Sequence, residues 1–120
     1  MDIIFGLFLI AHGLLHGLYF VPKPPNDPSF PFLFTKSWFA KRVGKPSIVI
    51  GKVFTSIVMA MFIMSGLFLI TISSYNYLWL TFALSAAIIS EFLFLLFWHR
   101  WLIIGFIINL VIIFSALQLI

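Results

Sequence analysis

The sequence predicts an all-α fold: an integral membrane four-helix bundle with one long Pro/aromatic/basic cytoplasmic loop. Three observations carry this. The first is composition: 63% apolar and 19% aromatic residues, 8% charged, and a mean hydropathy of +1.22. A soluble domain carries about 25% charged residues. The second is that four apolar runs, over about 3–21, 47–72, 77–98 and 101–120, are separated by breaks. Each approaches the ~20 residues that a helix needs to cross a ~30 Å hydrocarbon core. The third is the absence of even-spaced alternation in these runs. Backbone in lipid must satisfy its own hydrogen bonds, and such runs do so as helices, not barrel strands. Residues 1–120 read as a single domain with no separate soluble part.

Composition also excludes chemistry. The chain has no cysteine, so disulfides, thiolate metal ligands and cysteine nucleophiles are ruled out. The first run opens Met-Asp-Ile-Ile-Phe, without a Lys/Arg segment before it or a clean small-x-small site after it, and is expected to be a retained helix. The pI near 9.8 does not indicate nucleic acid. The basic residues are gathered in one connection, which is a topology signal.

That connection, residues 22–46, is the only long one. Lys23, Lys36, Lys41, Arg42, Lys45 and Lys52 lie in or beside it, and Arg100 lies in the third connection. The second, Ser73-Ser74-Tyr75-Asn76, has no cation. The positive-inside rule then places the first and third connections in the cytoplasm and both chain ends outside, as expected for a prokaryotic cell membrane. Tyr75, Tyr77 and Trp79 fit the outer interface, and Trp98 and Trp101 the inner one. Five of the six prolines, from Pro22 to Pro31, make the first half of the long connection extended. Its second half, around Lys36, Trp38, Lys41 and Arg42, mixes rings with cations. This is the composition of a segment lying in the headgroup layer, with His99 and Arg100 as further headgroup contacts.

The first helix carries His12 and His16, one helical turn apart within Ala11-His12-Gly13-Leu14-Leu15-His16-Gly17. Imidazoles inside an apolar bundle must be satisfied by something. A rise of ~1.5 Å per residue converts distance from the inner helix ends into depth. His16 then lies at roughly 7 Å, His12 at roughly 13 Å, Glu91 at roughly 10 Å with Ser90 just beyond, and Asn109, Thr55 and Ser56 at roughly 12 Å. All four helices thus bring a polar group to one level. Intramembrane ionisable residues face the bundle interior and pair with one another. Glu91 is the acid at that depth, so a bond from Glu91 to His12 or His16, with Asn109 and Thr55 around it, is expected. Gly6, Gly13 and Gly17 form a smooth stripe for close helix approach. Gly105, Asn109 and Ala116 on the fourth helix, and Ala87, Glu91 and Trp98 on the third, are the faces expected to turn inward.

Several chemistries use these residue types. His12 and His16 at i and i+4, with Glu91 as third ligand, make a candidate zinc or iron site. Haem is the poorest fit, since two histidines on one helical turn cannot bind opposite faces of its iron. A quinone fits best among cofactors: its carbonyl needs a donor such as histidine, proton exchange needs an acid such as Glu91, and the 16 Phe residues offer a slot for an isoprenoid tail. The plain alternative is a polar clasp that holds the helices in register without any ligand. Small multidrug exporters share the helix count but carry their Glu in the first helix, not the third. No nucleophile elbow or phosphate-cradling loop is present.

Over Gly6-Leu7-Phe8-Leu9-Ile10-Ala11-His12-Gly13-Leu14 the chain resembles the first helix of the DoxX-like family of small four-helix membrane proteins. Where that family often places a Lys shortly after the His-Gly pair, His16 stands here. The resemblance covers the first 20 residues or so and is architectural beyond them. It implies a membrane subunit or quinone-linked component of a redox system, as in members of the thiosulfate:quinone type. Two other readings stand beside it: a non-catalytic assembly or packing subunit of a larger membrane complex, and a metal- or proton-handling membrane protein. The expected partners are the bilayer and either further copies of the chain or other membrane subunits.

Overall fold

The computed structural model describes residues 2–20, 37–72, 77–98 and 102–119. The expectations placed on the proline-rich half of the long connection, Lys36, Tyr75, His99, Arg100 and Trp101 lie outside these residues. Among the described residues every regular element is a helix. Helix α1 spans Asp2–Leu15 and tightens into a 3-10 helix over His16–Phe20. It is followed by α2 (Trp38–Val43), α3 (Lys45–Thr71), α4 (Tyr77–Leu96) and α5 (Ile103–Leu119). Ile3–Phe20, Lys45–Thr71 and Tyr77–Leu96 are each long and apolar enough to cross a membrane. The fourth run yields a shorter apolar helix of 17 residues, about 25 Å long at ~1.5 Å per residue.

Two features depart from the expected elements. The first helix is not uniform: its α-helical hydrogen bonding stops at Leu15, and the chain continues in the tighter winding that often ends helices. The last carbonyls of an α-helix have no intrahelical partner. One of them, on His12, accepts a hydrogen bond from the His16 ring at 3.1 Å. The second feature is α2, a helix inside the segment expected to be an interfacial loop. Ser37 caps it by accepting from the Ala40 amide at 3.0 Å. Gly44, at φ +85°, supplies the left-handed turn that separates α2 from α3. The Trp38 indole donates to the Leu95 carbonyl at 2.7 Å, capping the end of α4, and Phe39 meets Phe97 edge-on at 5.6 Å.

The helices pack in the order α1 on α3, α3 on α4, α4 on α5. Glycine sets the first of these contacts. A Cβ on Gly66 would run into the Gly6 carbonyl oxygen, and one on Gly13 would lie 2.8 Å from the Phe62 Cβ. Helices that lack these side chains come close enough for extensive van der Waals contact, the main attraction between helices in an apolar medium. On α4 small residues do the same: Ala83, Ala86, Ala87 and Ser90 are all within 1% of full burial. Leu9, Val58 and Phe62 fill the centre. Ser65 donates to the Trp79 carbonyl at 2.6 Å, across from α3 to α4. Ser56, Thr71 and Thr81 instead bond back to carbonyls four residues earlier in their own helices. Outward faces are apolar, with Ile4, Phe92 and Phe114 at 70%, 65% and 65% exposure.

The glycine contacts make a direct prediction. Gly66→Ala should lower stability by about 1–3 kcal/mol, because backbone on the facing helix cannot move aside as a side chain can. Gly17→Ala should cost far less, since its Cβ would meet only the flexible end of Met59, at 3.3 Å. Unfolding in mixed micelles measures both, and equal losses would contradict the close α1–α3 approach.

Candidate functional site

His12 and His16 project from the end of α1 into the space between α3, α4 and α5, and each is only 4% exposed. Aromatic rings shape their surroundings. His12 meets Phe62 edge-on at 4.9 Å, His16 stacks on Phe94 at 5.5 Å, and the two imidazoles stand nearly perpendicular at 5.4 Å. His12 Nε2 lies 2.8 Å from Asn109 Oδ1, Asn109 Nδ2 lies 2.8 Å from Ser90 Oγ, and Ser90 Oγ lies 2.7 Å from His16 Nε2. With the bond from His16 Nδ1 to the His12 carbonyl, this closes a loop of hydrogen bonds through α1, α4 and α5.

The direction of every bond in the loop follows from its fixed points. A backbone carbonyl only accepts, so the His16 Nδ1 carries a proton. With one proton per imidazole, His16 Nε2 is an acceptor and the Ser90 hydroxyl donates to it. Ser90 Oγ in turn accepts from the Asn109 amide nitrogen. Asn109 Oδ1 then accepts from His12 Nε2–H, which leaves His12 Nδ1 as a bare lone pair. Turning the Asn109 amide over would require Ser90 to donate to Asn109 Oδ1 and His16 to carry two protons. That would put an ion in an apolar interior away from water, a costly state. The hydrogen bonds thus select one tautomer for each ring.

The expected bond from Glu91 to a histidine is not formed. Both histidines find Ser90 and Asn109, and the polar neighbour of Glu91 is Asn109. The physical reason is rotation. One residue turns a helix by about 100°, so with Ser90 on the buried centre of α4 its neighbour Glu91 falls on the flank toward α5. Glu91 is partly buried there, and its Oε1 has no hydrogen-bond partner among the described residues. The expected metal ligands His12, His16 and Glu91 are likewise not gathered: no group of three His, Cys, Asp or Glu that could hold a metal occurs among the described residues. Thr55 is 1% exposed on α3. Of the inward faces expected on α4 and α5, Ala87, Asn109 and Ala116 are buried, whereas Trp98 is 42% exposed and meets Phe106 edge-on. Lys41 and Arg42 are exposed on α2, beside the half-exposed Trp38.

Beside the loop lies a cavity of about 160 Å³, between the end of α1 with its 3-10 extension and the α4–α5 pair. His12, His16, Leu18, Tyr19, Phe94 and Ile108 line it, with Leu15, Leu102, Ile104 and Gly105. Its outer rim is apolar and open: Leu15 is 59% and Ile104 63% exposed. Gly105 makes room for Phe94, whose ring would lie 3.0 Å from a Cβ there. A second cavity, lined by Ile50, Phe54, Ile89, Phe92, Leu93 and Leu96, holds no polar side chain.

His12, His16, Asn109 and the inward-facing Gly105 were named from the sequence, which ranked Glu91 above Ser90 and did not point to Phe62, Phe94 or the cavity. The run of small residues Ala83, Ala86, Ala87 and Ser90 is the signal that marks the buried face of α4. Comparison with family models, with curated proteins and with solved structures finds no match to the chain.

The loop predicts coupling between its members. Asn109→Leu and Ser90→Ala should each lower stability by about 1 kcal/mol, since each leaves buried partners unpaired. The double variant should lose less than the sum by ~0.5 kcal/mol or more, because both changes break one network. Strict additivity in reversible unfolding would show that the bonds act independently.

Proposed function

We propose that this chain is a four-span integral membrane protein, with both ends outside, the long connection cytoplasmic, and a binding site for a quinone-type ring in the cleft beside His12 and His16. In this reading it serves as a small membrane subunit or quinone-linked component of a redox system. The observation that carries it is the cleft itself: a ring-sized cavity that two buried imidazoles line and that opens between apolar residues of α1 and α5. An engineered cavity of ~150 Å³ lined by apolar side chains takes up benzene, so a volume of about 160 Å³ suits one six-membered ring. Lipid-soluble molecules reach such a cleft from the side, and a prenyl tail would leave past Leu15 and Ile104 into hydrocarbon. The flat rings of Phe94 and Tyr19 in the wall favour an aromatic guest over an aliphatic one. The likeness of the first helix to DoxX-like proteins agrees with this role. The four spans rest on the apolar length of the helices and the outward-facing apolar surface, and the orientation rests on the basic residues of the first connection.

A second reading is favoured by the hydrogen-bond loop. Four polar residues that largely satisfy one another also suit a packing subunit whose clasp serves only to hold α1, α4 and α5 together.

Native mass spectrometry of the protein released from nanodiscs separates the two. The binding reading predicts a reproducible added mass matching a quinone-type lipid. Ile108→Trp, which fills the cavity from α5, should remove that mass and keep the melting temperature within a few degrees. A bare wild-type chain, or an adduct indifferent to Ile108→Trp, would overturn the binding reading in favour of the clasp.

A further inference from the structure

Helix α2 bridges the ends of two helices, and an apolar groove opens between those helices beside it. At its start the Trp38 indole donates to the Leu95 carbonyl at 2.7 Å and Phe39 meets Phe97, both at the end of α4. At its other end Gly44 leads directly into Lys45, the first residue of α3. The seam between α3 and α4 holds the cavity of about 250 Å³ lined by Ile50, Phe54, Ile89, Phe92, Leu93 and Leu96. Leu96 follows the residue whose carbonyl Trp38 caps, and Ile50 stands five residues past Lys45, about 7.5 Å along α3 at ~1.5 Å per residue. Phe54 and Phe92 are exposed, so the groove is open to the side. Trp38, Lys41 and Arg42, at i, i+3 and i+4, share one exposed face of α2. The described residues include two acids. Asp2 opens α1 at the other end of the molecule, and Glu91 turns toward Asn109 on α5, so neither neutralises that face.

We infer that this corner of the molecule binds one anionic phospholipid, with its phosphate on Lys41 and Arg42 and an acyl chain in the α3–α4 groove. The inference shares the membrane reading above and is independent of the ring cleft. Two chemistries lie side by side here, and the occupant must satisfy both. Unneutralised cations call for an anion, and phosphate oxygens accept charge-assisted bonds from Lys and Arg. A groove without a polar side chain accepts only hydrocarbon. A phospholipid joins the two within one molecule, and its length covers the distance from α2 to Ile50. The Trp38 indole, amphipathic and half-exposed, suits the level where headgroups meet chains. A second copy of the chain, with its net charge of +4, would add cations to cations. Each Lys or Arg beside anionic lipid corresponds to about fivefold in affinity, and the pair to about 30-fold.

Nanodiscs of phosphatidylglycerol and phosphatidylcholine in equal amounts, followed by native mass spectrometry of the released chain, test this. Wild-type protein should retain one phosphatidylglycerol, at about 30-fold the level of phosphatidylcholine, a comparison that needs no substitution. Lys41→Gln combined with Arg42→Gln, both at exposed positions, should abolish the preference. Lys52→Gln is the control, because Lys52 is exposed but lies about 200° around α3 from Ile50 and from Phe54, away from the groove. It should leave retention unchanged. Ile89→Trp fills the groove, keeps both cations and should remove the retained lipid. Equal retention of the two lipids by wild type, an equal loss with Lys52→Gln, or retention indifferent to Ile89→Trp would overturn the inference. A lipid-free dimer that Ile89→Trp dissolves would also overturn it and give the groove to a second copy. A chain that stays dispersed in buffer without bilayer or detergent would remove the membrane reading as well.

Discussion

Burying polar side chains among apolar ones leaves them nothing to bond to except each other, and this constraint organises the centre of the molecule. His12, His16, Ser90 and Asn109 come from three helices, and each is at most 4% exposed. Each finds its partner within the set, or on the backbone of the helix that carries it. The loop has one direction because the His12 carbonyl can only accept. From that end, the protons of His16, Ser90, Asn109 and His12 are assigned in turn.

The loop explains how α5 is held. Helix α5 packs chiefly on α4, with Asn109, Ile112 and Ala116 as its buried residues, and the bond from His12 to Asn109 ties it to α1. The cavity lies beside this bond, bounded by the 3-10 end of α1 on one side and by Leu102, Ile104, Gly105 and Ile108 on the other. Close packing along α1 and α3, set by Gly6, Gly13 and Gly66, contrasts with this looser junction. A rigid pair of helices with a cleft at its edge is an arrangement that positions polar groups well, because the neighbouring rings of Phe62 and Phe94 leave the imidazoles little freedom. The same tightening of α1 at Leu15 that ends its regular hydrogen bonding brings His16 Nδ1 onto the His12 carbonyl, so local backbone and site geometry are one feature.

Much of this was legible in the sequence. The long apolar helices follow from the hydropathy, and the common depth of His12, His16, Ser90 and Asn109 follows from the helical rise alone. Depth, however, fixes only one coordinate. Which of Ser90 and Glu91 faces the centre depends on rotation about the α4 axis, and a helix that is apolar on every side gives no contrast from which to read that rotation. Chemical prominence favoured the carboxylate, while the small hydroxyl is what fits between closely packed helices. Helix α2 was hidden for a different reason. Its six residues are too few for periodicity to show, and its place is set by contacts of Trp38 and Phe39 with the end of α4. The cavity is a gap between non-adjacent helices and has no sequence signature.

The character of the buried loop turns on where its protons sit, and nitrogen NMR of the protein labelled with ¹⁵N-histidine reads this directly. In the ligand-free protein, one buried imidazole should carry its proton on Nε2 and the other on Nδ1, assigned to His12 and His16 by single replacement with the other histidine retained. Finding His16 protonated at Nε2, or either buried ring carrying two protons at neutral pH, would contradict the directional loop and with it the orphaned acceptor on His12.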